Sequence, residues 1–593
     1  MSSRFALEQA LAELKPNSEQ YDAAIECGHC VVLAGPGSGK TKTLTTAMAR
    51  ALMDDVVDPR GVACITYNNE CATELEERLA RFGVANSDRS FIGTVHSFAL
   101  TQVLTPYARC IPHLLPDGFR VATNTECRAA VETAYKSVFG EMGNAQDRWR
   151  LAEEKRRRDV DRTLPAWQGQ NPELASFIEA YEAELRCEAL IDFDDMPLLA
   201  FRMIKDHNWI RNALSARFPI LFVDEYQDLG HALHELVLLL CFDSGIRLFA
   251  VGDADQSIYG FNGANPGLLQ SLIARDEIKT IRLRFNYRSG AKIIRASLGA
   301  LGEERDYRGV EGAPDGELGF WAVDGDHDEQ ALHIAQAVLP SLLDREFQPD
   351  QIAILYRAAW LGDKVANALK DTDIAILRTD GNALVRRNSR LARFVEACSQ
   401  WVTGGWRDAS PTYHRLLGQA LAIVYGGRVS ADEELAITHQ LISFLRSGID
   451  REETAHAWLA RFCRELIEPW QKIARNTHQE WEVCSELLVR TDPASKLDMP
   501  LNVFAGRIDG SGRVTLSTLH SAKGREFDAV IMFGINAQDF PNWRDAKSER
   551  GMREARRLFY VGVTRPRKEL CLVFQKANHS PWVTELYQRS QQL

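Results

Sequence analysis

A chain of 593 residues with 45% hydrophobic and 25% charged residues is too long for one core and ordinary in composition, so roughly three to five structural units of a globular protein are expected. No stretch approaches the roughly 20 apolar residues of a membrane span, and Met1–Lys15 lacks the basic start and apolar run of a signal peptide, which predicts a cytoplasmic protein without a membrane partner. The formal net charge of −11 neither supports nor excludes nucleic acid, because binding depends on where positive charge sits rather than on its sum.

In chain order, the first polar signal is Gln20, in NSEQYDAA, whose amide can both donate to and accept from an adenine edge. Cys27 and Cys30 follow, a close pair with no second pair to complete a zinc site; the 12 cysteines show no repeated spacing and read as reduced thiols. Cys30–Leu33 (CVVL) reads as a short strand and Thr43–Met53 as a helix, with AGPGSGKT between them. Strand, small-residue loop and helix form the setting of a phosphate loop. Ala34, Gly35, Pro36, Gly37, Ser38 and Gly39 let the backbone curl so that N–H groups and the helix N-terminus face phosphate oxygens. Lys40 then reaches the outer phosphates and Thr41 holds Mg²⁺. The strict pattern has Gly where Ala34 stands, a departure that a small side chain tolerates.

Val62–Thr66 (VACIT) predicts a buried strand, followed by a helix from about Glu70 to Arg81 and then TVHSF at Thr94–Phe98. Polar and aromatic residues at the carboxyl ends of parallel strands lie on the edge where such sheets bind ligands. From Leu100 to Leu190 the pattern turns helical; Leu174, Phe177, Ile178, Tyr181 and Leu185 share one stripe and predict a core face. Within it, Lys155–Arg158 (KRRR) is the densest basic cluster, open to two readings: a solvated helix face balanced by nearby acids, or a phosphate contact.

The sheet resumes at Ile220–Val223 and ends in Asp224-Glu225-Tyr226-Gln227-Asp228. Paired acids after a buried strand suit magnesium and water chemistry, Asp224 in the Mg²⁺ shell and Glu225 orienting or deprotonating the attacking water. Leu248–Val251 ends in GDADQSIYGFNGA, where Gln256 is placed to sense a γ-phosphate and Tyr259 and Phe261 read as core or as base-stacking rings. Phe285-Asn286-Tyr287-Arg288-Ser289 follows. A second αβ unit starts beyond the Gly-rich segment Gly302–Gly319, with Ile352–Tyr356 as its clearest early strand. Trp401 to Gly506 is again helical, with Trp458, Trp470 and Trp481 as core residues, and strands return at Val514–Leu516, Ala529–Phe533 and Leu570–Phe574. The fold class is therefore α/β, with two discontinuous αβ domains that each carry a helical insertion.

This ordered set resembles the Rep/UvrD/PcrA group of superfamily 1A DNA helicases over nearly the whole chain. The matching strings are Gln20; Ala34–Thr41; Ile65–Asn69; Thr94–Phe98; Ile191–Met196 (IDFDDM); Val223–Asp228; Val251–Ala264; Asn286–Ser289; Leu516–Phe527 (LSTLHSAKGREF); and Glu554–Arg565 (EARRLFYVGVTR). The resemblance implies two RecA-like motor domains. The first spans 1–98 and 191–286 around a helical insertion at 99–190; the second spans 287–400 and 510–593 around a short helical insertion at 401–509.

The same resemblance implies that ATP lies between the motor domains, with Lys40, Thr41, Asp224, Glu225 and Gln256 on one side and Arg288 and Arg565 on the other. Tyr287 stacks on adenine, Gln20 reads its edge, Glu526 contacts the sugar, and Lys42 belongs to the nucleotide loop although the family usually has Arg there. Tyr67, Asn68, His96, Tyr259, Phe261, His520 and Phe540 contact single-stranded DNA. The implied activity is ATP-driven 3′–5′ translocation on single strands and unwinding of junctions with single-stranded tails.

Asn262 replaces the family's usual Arg, Leu229-Gly230 the common Thr-Asn, and Leu233 a frequent Gln. With the short second insertion, these departures motivate another reading: a DNA-sensing ATPase subunit of a bacterial repair or anti-phage defence complex that signals to a separate nuclease. The chain ends soon after Arg565, so neither a fused nuclease nor a long partner-binding tail is expected. An unrelated phosphate-loop kinase or GTPase does not explain Arg565 and the Leu516–Phe527 string together.

Overall fold

Short runs of apolar and β-branched residues, buried on both faces, build two parallel sheets. The computed structural model describes residues 3–591 except 67–68, 85–88, 112–113, 117, 142, 170, 259, 261–264, 304, 371, 381–388, 409–410, 426–428, 450, 452, 475–480, 494–498 and 506–511. Its strands in chain order are β1 (His29–Ala34), β2 (Val62–Thr66), β3 (Ser90–Thr94), β4 (Arg120–Val121), β5 (Leu190–Ile191), β6 (Ile220–Val223), β7 (Arg247–Gly252), β8 (Ile278–Leu283), β9 (Phe285–Asn286), β10 (Arg308–Gly309), β11 (Glu317–Val323), β12 (Ile352–Tyr356), β13 (Ala375–Arg378), β14 (Arg513–Thr518), β15 (Phe527–Phe533) and β16 (Pro566–Gln575).

The first sheet runs β3-β2-β6-β7-β1-β8, all parallel, with Val32 of β1 flanked by Val251 of β7 and Ile281 of β8. Successive side chains point to opposite faces. Val31, Ile65 and Leu221 therefore pack under the helices Asp195–Asp206 and His231–Cys241, while Val32, Cys64 and Phe222 pack under Lys40–Arg50 and Asn69–Ala80. The second sheet runs β11-β16-β15-β12-β14-β13, also parallel. Leu355, Met532 and Leu572 line the face covered by helices Glu549–Val563 and Pro581–Gln591, and Ile354, Ile531 and Val573 line the other. Helices on both faces are what a parallel sheet requires to bury its strands. The segment β9, paired with β10, leads from one sheet to the other.

Each sheet is interrupted by helices with their own core. Between β3 and β6, the helices Asn124–Phe139, Ala145–Arg158 and Pro172–Cys187 pack together, and the stripe Leu174, Phe177, Ile178, Tyr181 and Leu185 is buried. The basic cluster on the second of these helices divides: Arg157 and Arg158 pair with Glu153, Asp194 and Asp159 on the outer face, as a solvated run balanced by nearby acids does, but the other two residues turn inward. Lys155 and Arg156 are buried, and Arg156 donates to Glu182 (2.9 Å), Asp192 (2.6 and 2.9 Å) and Asp195 (2.6 Å). A buried guanidinium is tolerated only when its donors are matched in this way. Arg156 thus ties the helical insertion to the strand-and-helix return at Ile191–Met196. Between β13 and β14, helices from Arg390 to Phe504 enclose Trp458 and Trp470, the latter donating from Nε1 to Gln440 (2.7 Å). No described helix is long and apolar enough to cross a membrane.

Candidate functional site

The loop 35–39 leaves β1 and turns into helix Lys40–Arg50, with positive φ at Gly37 (69°) and Gly39 (80°), conformations that glycine adopts without the strain a Cβ adds. Close packing forbids side chains there as well. A Cβ on Gly35 would lie 2.5 Å from the Tyr307 ring, and one on Gly37 would lie 2.5 Å from Asn286 Oδ1. The Ser38 hydroxyl donates to Gly35 O (2.8 Å) and the Gln20 amide donates to Ser38 O (2.8 Å). Gln20 therefore braces the loop. Tyr287 N donates to Gly37 O (2.8 Å), and the Tyr287 hydroxyl accepts from Asn17 (2.9 Å), leaving a ring 47% exposed beside the loop. Lys42 points its ammonium to Glu13 (2.8 Å) on the first helix.

At the end of β6, Glu225 is held at φ 51°, a left-handed conformation unusual for a residue with a Cβ. Lys40 Nζ lies 3.7 Å from its carboxylate, and Gln227 donates to it. Burial raises the Glu225 pKa, but Lys40 and Lys523 outweigh it and hold the carboxyl at about 2. Burial and the adjacent Glu225 charge push Asp224 the other way, to about 7. Two neighbouring acids with opposed shifts are set for different tasks.

The second sheet supplies the facing groups. Arg565, 1% exposed, donates to Gln256 Oε1 (3.1 Å), Val561 O (2.9 Å), Thr564 Oγ1 (3.0 Å) and Arg525 O (3.3 Å), all uncharged oxygens. Burial, then the nearby Arg288 charge, lowers its pKa to about 9. Such a cation favours an incoming anion. Arg288 donates to Thr564 O (3.3 Å) and pairs with Glu526, which also binds Arg567 (3.1 Å). Burial raises the Glu526 carboxyl, but Arg288 and Arg567 prevail and keep it below its ordinary value. Lys523 crosses between the sheets, pairing with Asp228 and donating to Gln256 O (2.8 Å). Gln256 is thus gripped from both sides, its own amide donating to Asp253.

Residues 16–275 match the profile of the UvrD/REP helicase N-terminal domain, and residues 504–577 match that of the UvrD-like helicase C-terminal domain, together more than half of the chain. The chain belongs to the UvrD-like helicase family. It is similar over 94% of its length to the ATP-dependent DNA helicase Rep of Salmonella typhimurium (26% identical, 90% of that protein covered) and to the ATP-dependent DNA helicase PcrA of Leuconostoc citreum (25% identical, 81% covered). Rep of Escherichia coli is 26% identical over 95% of this chain and 91% of its own.

In this UvrD-like chain, the residues expected to face a strand fare unequally. Tyr67, Asn68, Tyr259 and Phe261 lie outside the described residues. His96 stacks on Phe193 with ring centroids 3.8 Å apart, and burial lowers its pKa to about 4, so the imidazole is neutral near pH 7. Phe193, 53% exposed, was not singled out from sequence, although it lies within IDFDDM. His520 is half-buried and likewise neutral, lowered to about 4 by burial and then by Arg357 and Lys523. Phe540 corrects the expectation. It is fully buried in the second domain's core, near Phe559 (6.2 Å) and Trp582 (6.4 Å), with Arg357 5.0 Å over its ring. Helices Glu549–Val563 and Pro581–Gln591 cover the ring, and no local pattern around Phe540 encodes that cover. Phe540→Ala is expected to cost about 3–5 kcal/mol of stability, read by thermal unfolding, while the folded fraction keeps its affinity for single strands; a selective loss of affinity would restore the original assignment.

Lys523 and Tyr307 are further site residues not singled out from sequence. Lys523 stood in the Leu516–Phe527 string, where a Lys after Ala522 gave no sign of its partner; Tyr307 lay in a polar segment with no motif.

Proposed function

We propose that the chain is an ATP-dependent single-stranded DNA translocase and 3′–5′ DNA helicase that hydrolyses ATP in the cleft between its two sheets. The observation that carries this reading is the Arg565–Gln256 hydrogen bond (3.1 Å), which brings a cation of the second sheet to the phosphate-loop side of the first. Lys40 and the backbone of 35–40 hold the phosphates, Tyr287 stacks on the base, and Glu526 approaches the sugar. Glu225, charged, orients and polarises the attacking water. Arg288 and Arg565 stabilise charge that spreads onto the transferring phosphoryl oxygens. Both act across the gap between the two sheets, which Arg565 already bridges to Gln256, and product release opens that gap.

The site fits Mg²⁺. Asp224, buried and raised to about 7 by burial and the Glu225 charge, and the Thr41 hydroxyl offer the hard oxygen donors that this ion takes. Bound there, the ion would neutralise charge on the outer phosphates. His96 and His520 offer neutral rings to DNA, and Lys523, whose charge is felt at His520, donates to Gln256 O (2.8 Å) on the phosphate side.

The test is displacement of a labelled strand from duplexes with a 3′ or a 5′ single-stranded tail, alongside ATP hydrolysis with and without single strands. Displacement from the 3′-tailed duplex alone is the expected result. Hydrolysis stimulated by single strands without displacement would replace this reading with that of a DNA-sensing subunit acting through a nuclease, and the absence of any stimulation would overturn both.

A further inference from the structure

The exposed tryptophan of the loop between β15 and helix Glu549–Val563 has no part in the cleft. Trp543 is 64% exposed, the most exposed of the described tryptophans, and it projects from a turn held by its own hydrogen bonds. Asn542 Oδ1 accepts from the backbone N–H groups of Arg544 (2.8 Å) and Asp545 (3.0 Å), and the Asp545 carboxylate accepts from Asn542 N (2.8 Å). Arg357 clamps both ends of this turn, donating to Asp539 O (2.7 Å) and to Asp545 (2.8 Å). The loop is therefore fixed before any ligand arrives, which lowers the entropy cost of binding.

Two cations flank the indole. Lys547 Nζ lies 4.3 Å and Arg544 Cζ 5.2 Å from the ring, and both side chains are exposed. The acids of the same turn are engaged elsewhere, Asp545 with Arg357 and Asp539 with His327 (2.7 Å). What remains outward is an aromatic ring between positive charges. The patch is also continuous with His520: Arg357 follows Tyr356, whose carbonyl accepts from Leu519 N (2.9 Å), and the Arg357 charge is felt at His520.

We propose that Trp543, with Lys547 and Arg544, is a stacking platform for single-stranded DNA that extends the strand path beyond His520; the proposal rests on the functional reading above. A base stacks on the indole and displaces a flanking cation onto a neighbouring phosphate, so ring and charge act on adjacent parts of one nucleotide.

The experiment measures the affinity of the full chain for a fluorescein-labelled oligo(dT) of roughly 16 nucleotides by anisotropy. Trp543→Ala is expected to raise Kd about tenfold, Trp543→Phe by no more than about threefold, and Lys547→Gln to lower the slope of log Kd against log salt by about 0.7. An abasic strand of the same length is expected to bind Trp543→Ala and the unaltered chain alike. Basal ATP hydrolysis and the melting temperature stay unchanged, because the side chain is exposed and its ring contacts are with Arg544 and Lys547 rather than with the nucleotide-site residues. Equal affinity of Trp543→Ala and the unaltered chain for oligo(dT) would overturn the platform alone and leave the surface to a protein partner. An equal loss on the abasic strand would overturn the stacking role. Failure of the unaltered chain to bind oligo(dT) would instead overturn the functional reading and the platform with it.

Discussion

Glu225→Gln is expected to lower the ATP turnover number by about 10²- to 10⁴-fold while nucleotide still binds. The substitution keeps size and shape and removes only the charge. Its local structural role survives, since the new amide oxygen can accept the bond that Gln227 now donates to the carboxylate. What is lost is the group that Lys40, 3.7 Å away, and Lys523 keep ionised at about 2 despite burial. An acid held so firmly charged orients and polarises water more than it stores a proton. Its contribution is thus to the transition state, and the effect falls on kcat rather than on the affinity for ATP. Burst and steady-state hydrolysis with single strands present, together with binding of a fluorescent nucleotide, separate the two quantities. Turnover near that of the unaltered chain would remove Glu225 from the chemistry.

The second large effect is expected at Arg565. Its guanidinium makes four hydrogen bonds to uncharged oxygens and is lowered to about 9 by burial and by Arg288. A phosphoryl group entering the cleft would relieve that state by bringing negative charge to a buried cation, and most strongly when charge spreads in the transition state. Removing such a group costs about 10³- to 10⁵-fold in hydrolysis. Arg565→Ala also leaves a void in a packed region, so Arg565→Lys is the paired variant. It keeps a cation but cannot reproduce the planar fork that reaches Val561, Thr564 and Gln256 together. Both variants are expected to lose single-strand-stimulated hydrolysis while retaining oligo(dT) binding. A Lys variant with unaltered stimulation would show that charge alone suffices and that the bond to Gln256 carries no coupling.

Much of the fold was legible because the strands are buried on both faces. ILFV at Ile220–Val223 and IAILY at Ile352–Tyr356 contain no polar interruption apart from a terminal tyrosine, and both emerge fully buried. The phosphate loop was legible for a related reason, since its geometry is written in consecutive residues. Long-range pairings were not. Arg156 looks like part of a solvated basic run until Glu182, Asp192 and Asp195, 26 to 39 residues later, surround it. Lys523 stands 295 residues from Asp228. Phe540 follows a strand end as an exposed channel residue would, and two later helices decide otherwise. In each case the missing information is which distant element covers the side chain.

The order of the second sheet has a consequence for how the protein is made. Its first three strands, β11, β12 and β13, never touch one another: β11 pairs with β16, β12 with β14 and β15, and β13 with β14. On the ribosome, the first sheet can assemble once β8 has emerged, with β2 and β3 already neighbours. The second sheet must wait for residues 513–575, so that β11–β13 remain unpaired, apolar edges until Arg513 and the residues after it have been made. A nascent chain stalled before Arg513 would carry a finished nucleotide loop beside three bare strands. Such a chain depends on chaperones for as long as the last strands are delayed.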